Sequence, residues 1–252
     1  MNIRHGGEMG GARMDIELFY ELLSRLKEIY NQGASLAQLI ANKKCLPKQG
    51  VYFFLEPGES IPLLGGKPRI VRVGTHAVSA GAKSTLYSRL KSHFGGKSGT
   101  GNHRGSVFRK HVGNAMLKKE KQIIPTWGQG SIAPAALRAD PDAQKAEADW
   151  ERKISQYIGE MSILWVDVPG ESSSTNLRAF IEKNAIALLS NHTLPEFKAS
   201  SDWLGQFSTE DKIRSSLLWN VKHVDAHYDP QFLVILAEVI KKMHLSGAAL
   251  NS

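Results

Sequence analysis

Gly50-Val51-Tyr52-Phe53-Phe54-Leu55 is an apolar, aromatic run whose residue types favour a pleated, buried surface, so it reads as a β-strand. Pro57-Gly58-Glu59 reads as the turn that closes it. Arg69 to Val73, ending at Gly74, reads as its hairpin partner across a long connection. Ile163 to Val168 supplies a third strand. Between and after these runs the periodicity is helical. Thr85 to Phe94 and Ala143 to Tyr157, with Trp150 and Ile154 inward, are two helices. Ser172 to Thr175 offers caps for a third, Asn176 to Leu189.

Upstream, Asp15 to Tyr30 is amphipathic, with Ile16, Phe19, Leu22, Leu23, Leu26 and Ile29 on one face. A shorter helix is expected over Ala34 to Ala41. Residues 1–14 are Gly-rich and polar and read as a disordered leader, without the apolar core of a secretory signal. Downstream, Gly95 to Gly105 and Pro125 to Pro141 read as irregular. In the tail, Ser208 with Asp211 resembles a capping box, and Phe232 to Met243 a last apolar helix. Trp203 and Trp219 read as core anchors of that tail.

Composition narrows the chemistry. One cysteine, Cys45, allows neither a disulfide framework nor a cysteine zinc site. His103, His111, His223 and His227 have no partner at a ligand spacing. No run reaches the length of a membrane span, and a cytoplasmic setting is expected. The net charge is +8, but residues 83–122 alone carry +9, ten Lys or Arg against Glu120. Charge concentrated in this way attracts a polyanion. Gly95-Gly96-Lys97-Ser98 resembles a phosphate-binding loop, yet the first glycine of that motif falls on Lys91 and no strand precedes it.

Phosphodiester hydrolysis needs a base, charge stabilisation at phosphorus, relief of the leaving oxygen and alignment. Tyr52 offers a phenol or phenolate as base. Arg89 offers a planar fork for phosphate oxygens. His93, four residues on, shares its helical face and offers a proton relay or a phosphate contact. Glu182 offers a hard carboxylate for one divalent cation.

In this order the parts resemble the GIY-YIG nuclease superfamily. Leu86 to Phe94 is similar to the arginine helix of excision-repair nucleases, and Ile181 to Ile186 to their glutamate helix. The Arg89–His93 spacing resembles that of GIY-YIG restriction endonucleases. The resemblance implies an α+β fold, a small three-stranded antiparallel sheet flanked by helices. It places the nuclease domain at 47–195 with a basic insertion about 97–142, a helical segment at 15–46 and a helical extension at 196–252. It implies a metal-dependent endonuclease cutting DNA, double-stranded, with Mg²⁺ or Mn²⁺ on Glu182 and with Tyr52, Arg89 and His93 catalytic. Tyr52 or His93 activates the water. The alternatives are a GIY-YIG binding module that does not cut, or RNA as substrate.

Where the second motif usually carries tyrosine, this chain has Arg72, before Gly74. Asn184 or Asn191 is the candidate for the family's late asparagine. Lys91, Lys97, Arg104, Arg109, Lys110, Lys118 and Lys119 are the expected nucleic-acid contacts.

Overall fold

The computed structural model describes residues 5–30, 32–42, 46–76, 84–96, 98–130, 134–170, 176–190 and 197–250. In chain order these form α1 (His5–Tyr30), α2 (Leu36–Ala41), β1 (Gly50–Ile61), β2 (Lys67–Thr75), α3 (Leu86–Phe94), α4 (Val107–Glu120), α5 (Ala135–Ala139), α6 (Pro141–Glu160), β3 (Ser162–Asp167), α7 (Leu177–Leu189), α8 (Asp211–Ser216) and α9 (Gln231–Leu250). The three strands make one antiparallel sheet in the order β2-β1-β3. The fold is therefore α+β, as expected.

Side chains alternate across a strand, and here both faces are buried. Val51, Phe53 and Leu55 of β1 pack with Leu164 and Val166 against α1, α7 and α9. Tyr52 and Phe54 pack with Ile163 and Trp165 against α2, α3, α4 and α6. The segments outside the expected 47–195 domain enter both cores. Leu23 of α1 and Phe232 of α9 join the first, and Trp203 and Trp219 the second.

One irregularity matters for the site. The β1–β2 register passes from Phe54↔Arg72 to Leu55↔Ile70, which leaves Val71 as an extra residue. Such a bulge re-aims side chains. Val71 and Arg72 both lie on the Tyr52 face, where the Arg72 guanidinium sits 4.6 Å from the Phe108 ring centroid.

Several expectations need correction. β1 does not turn at Pro57-Gly58-Glu59 but runs on to Ile61. There Glu56 and Glu59 are tied down, Glu56 by the indoles of Trp203 and Trp219 at 3.2 and 3.1 Å, and Glu59 by Arg69 at 2.6 Å. Gly65 and Gly66, both at positive φ, make the reversal instead. The first helix reaches back to His5 through residues expected to be disordered, and Ala12 is buried in the core. The capping box at Ser208 does not form. Asp211 starts α8, and the Ser208 hydroxyl accepts from the Glu210 N–H instead. A short helix, α5, interrupts the stretch read as irregular before Pro141. The caps expected at Ser172 to Thr175 lie outside the described residues.

Candidate active site

Tyr52 is at the centre of the sheet, paired with Gly74 on one side and Trp165 on the other. Its hydroxyl lies 2.9 Å from His93 Nε2. His93 Nδ1 lies 2.8 Å from Ser106 Oγ, which also accepts the Arg109 N–H at 3.4 Å as the N-cap of α4. In the tautomer with the proton on Nδ1, Ser106 Oγ accepts from the ring and Nε2 accepts the phenol proton. Burial, with Arg72, Arg89 and Arg109 adding, holds the His93 pKa well below its usual value, so the ring is neutral at neutral pH. His93 is wholly buried, as is Tyr52. It acts on Tyr52.

Arg72 of β2 and Arg89 of α3 lie near this pair. Arg72 is held by the Trp219 carbonyl at 2.8 Å. Burial lowers its pKa; Tyr52 and Glu182 oppose that shift and Arg89 adds to it, so the four groups share one neighbourhood. The Nε atoms of Arg72 and Arg89 are buried with no hydrogen-bond partner among the described residues. Buried donors are normally paired, so both guanidinium groups keep a donor free for an acceptor.

Glu182 comes from α7, and its Oε1 accepts the Thr75 N–H at 3.2 Å. Burial raises its pKa, against the pull of Arg72, the Thr75 N–H, Arg89 and Lys222. Among the described residues no group of three or more His, Cys, Asp or Glu gathers to hold a metal. A lone half-buried carboxylate still fits Mg²⁺, which keeps several waters and takes further oxygens from substrate phosphate.

The sequence missed three neighbours of these residues. Ser106 orients His93, and its only signal was its place before a helix. Thr75 orients Glu182 through its backbone, which leaves no signal. His76 follows Thr75, its Nε2 donates to the Lys48 carbonyl at 3.2 Å, and its buried Nδ1 has no partner among the described residues. Burial lowers its pKa, with Arg178 and Arg89 adding, so it too is neutral at neutral pH.

Other candidates lie elsewhere. Asn184 donates to the Phe180 carbonyl at 2.8 Å and accepts the Asp229 N–H at 2.7 Å, so it anchors the approach to α9. Asn191 and Lys97 lie outside the described residues. Arg104 and Arg109 cannot reach a nucleic acid. Arg109 is fully buried, on Glu151 Oε2 at 2.5 Å and on the His93 and Phe94 carbonyls at 2.8 and 3.0 Å. It caps the C-terminus of α3. Arg104 is locked to Glu147 and to the Thr126 carbonyl at 2.9 Å. Each burial is permitted because a carboxylate on α6 neutralises the charge. Lys91, Lys118 and Lys119 are exposed and Lys110 half-buried. Lys91 lines a cleft of about 580 Å³ on the outer side of α3, with Tyr87, Ser92 and Asn102. Among the described residues no helix is long and apolar enough to cross a membrane.

No curated protein and no solved structure matches the chain. A family model, the GIY-YIG domain, matches residues 11–246, which takes in α1 beyond its first turns and most of α9. Proteins with this domain are generally nucleases that act on nucleic acids. With a match that extends over nearly all of its length, the chain belongs to the GIY-YIG domain family.

Proposed function

We propose that this protein is a metal-dependent endonuclease that hydrolyses phosphodiester bonds in DNA. The observation that carries the reading is the buried Tyr52–His93–Ser106 chain, set beside two arginines whose Nε donors lack partners among the described residues. Arg89 takes the phosphate oxygens as a planar fork. Tyr52 receives the proton of the attacking water, while His93 Nε2 accepts the phenol proton. Glu182 holds a divalent cation, which when bound supplies charge to the reacting phosphate. Tyr52 is itself fully buried, so water must gain access to it before it can receive that proton.

That burial favours one rival, a module that binds nucleic acid and does not cut. Incubating the purified protein with supercoiled plasmid, branched DNA, single-stranded DNA and RNA, with and without Mg²⁺, separates the readings. Nicking that needs Mg²⁺ and is lost in Arg89→Ala and Glu182→Gln supports the nuclease. Retention of every substrate uncut supports the module, and cleavage of RNA alone moves the substrate.

A further inference from the structure

The open edge of β2 is completed by three different groups in turn. The Trp219 N–H donates to the Val71 carbonyl at 2.7 Å. The Asn220 amide accepts the Val73 N–H at 3.0 Å and donates to the Val73 carbonyl at 2.9 Å. The Thr75 N–H then goes to Glu182 at 3.2 Å. Residues 217–220 thus form a strap along the edge strand, and the strap leaves the edge where the carboxylate enters. Arg69 and Arg72 fix it from the strand side, on the Leu217 and Trp219 carbonyls at 2.5 and 2.8 Å.

Lys222 comes two residues after Asn220. An extended chain covers about 3.3 Å per residue, so its backbone is held near Thr75 and Glu182. His223 then adopts a left-handed conformation, φ 67°, which ends the run along the strand. Lys222 is exposed and forms no ion pair among the described residues. Its charge reaches Glu182, whose pKa it helps to hold down. Lys183 of α7 is exposed as well, and it and Lys222 both bear on His223. The nearby acid, Asp225, is engaged by Lys212 at 2.8 Å.

We propose that Lys222, carried to the site by the strap, is a substrate-binding residue that takes a backbone phosphate beside the one held by Arg89. The proposal rests on the nuclease reading. A hydrated ammonium on a flexible stem suits a phosphate as a point charge, where Arg89 supplies the shaped contact. The part of the chain that seemed to lie outside the nuclease then contributes to its groove.

The test is the binding of a fluorescent DNA duplex without divalent metal, over a range of salt, with single-turnover cleavage in Mg²⁺ alongside. Lys222→Ala is expected to flatten the log–log salt slope by about 0.9. It raises KM several-fold with kcat little changed. Lys222→Arg restores the slope, and Lys212→Ala, whose partner is Asp225, leaves it as in the parent. A parent that binds DNA while Lys222→Ala keeps its slope and KM overturns the proposal alone. A parent that binds but never cuts overturns the hydrolytic reading, and a flattened slope would still place Lys222 on phosphate. A parent that binds no nucleic acid overturns both.

Discussion

Gly74 faces Tyr52 so closely that a Cβ built on it would lie 2.3 Å from the phenol oxygen. The two residues are cross-strand partners, and the ring folds over the glycine toward His93. Gly74→Ala must therefore move either the strand or the phenol. The expected result is a stability loss of about 1–3 kcal/mol by denaturant unfolding. Cleavage should fall about a hundredfold, because small misplacements at a reacting centre are costly. A stable, fully active alanine variant would show that the phenol is not at the reacting centre.

Tyr52→Phe keeps the ring and removes one oxygen, so the fold stays and kcat drops by about 10²–10⁴, the usual worth of a general base. His93→Gln should lower kcat while leaving DNA affinity unchanged, since the ring is buried behind Tyr52. Single-turnover rates and equilibrium binding check both. Weaker DNA binding in His93→Gln would contradict its place behind the tyrosine.

Arg109→Met leaves the Glu151 carboxylate buried without its main partner. Breaking a buried pair from one side costs about 3–5 kcal/mol, read as a lower unfolding midpoint in urea. Arg104→Met, facing Glu147, should behave alike. Neither change should alter the salt slope of DNA binding measured below the unfolding transition. A slope reduced by either would return these arginines to the nucleic-acid surface.

These two arginines show where sequence reading stopped. The strands and helices were legible because each is a local pattern, an apolar aromatic run or a helical repeat, and the arginine and glutamate helices because they resemble those of the family. Tyr52, Arg89, His93 and Glu182 lie in one neighbourhood because those patterns fix their faces. Charge carries no such directional signal. Arg109 and Lys118 look equivalent along the chain, and only the approach of Glu151 from α6 turns one inward. The same limit hid the strap, whose bonds to β2 join residues far apart in sequence. The bulge at Val71 was equally silent, since an extra residue leaves no mark in composition.

Acid should destabilise the protein partly through His111. Its pKa is pushed down from 6.5 to about 4 by burial, with Arg72 and Lys110 adding. The folded state prefers the neutral ring, so this contribution is complete above pH about 6.5 and is lost as pH falls through about 4. At most it amounts to about 3 kcal/mol. His111→Gln removes the titration, and its stability should change less than the parent's between pH 6.5 and 4. Parallel curves would place the acid sensitivity elsewhere, His93 being next.

Metal binding should depend on substrate. Glu182 is one carboxylate among Arg72, Arg89 and Lys222, all of which repel a cation. Calorimetric titration of Mg²⁺ into the protein alone should give no measurable heat. Binding should appear once an uncleavable duplex supplies phosphate oxygens, and Glu182→Gln should abolish it. Tight binding of Mg²⁺ to the protein alone would mean that another carboxylate completes the site.

The strap along β2 bears on how this chain can be divided. A chain cut before Leu217 would lose the groups that pair Val71 and Val73 and the carbonyls that hold Arg69 and Arg72. Its edge strand would be bare, and bare edges zip together between molecules. The part before the strap is thus not a portable cassette. Grafting a foreign tail onto it, to redirect where it cuts, would work only with a tail that re-knits the same strand.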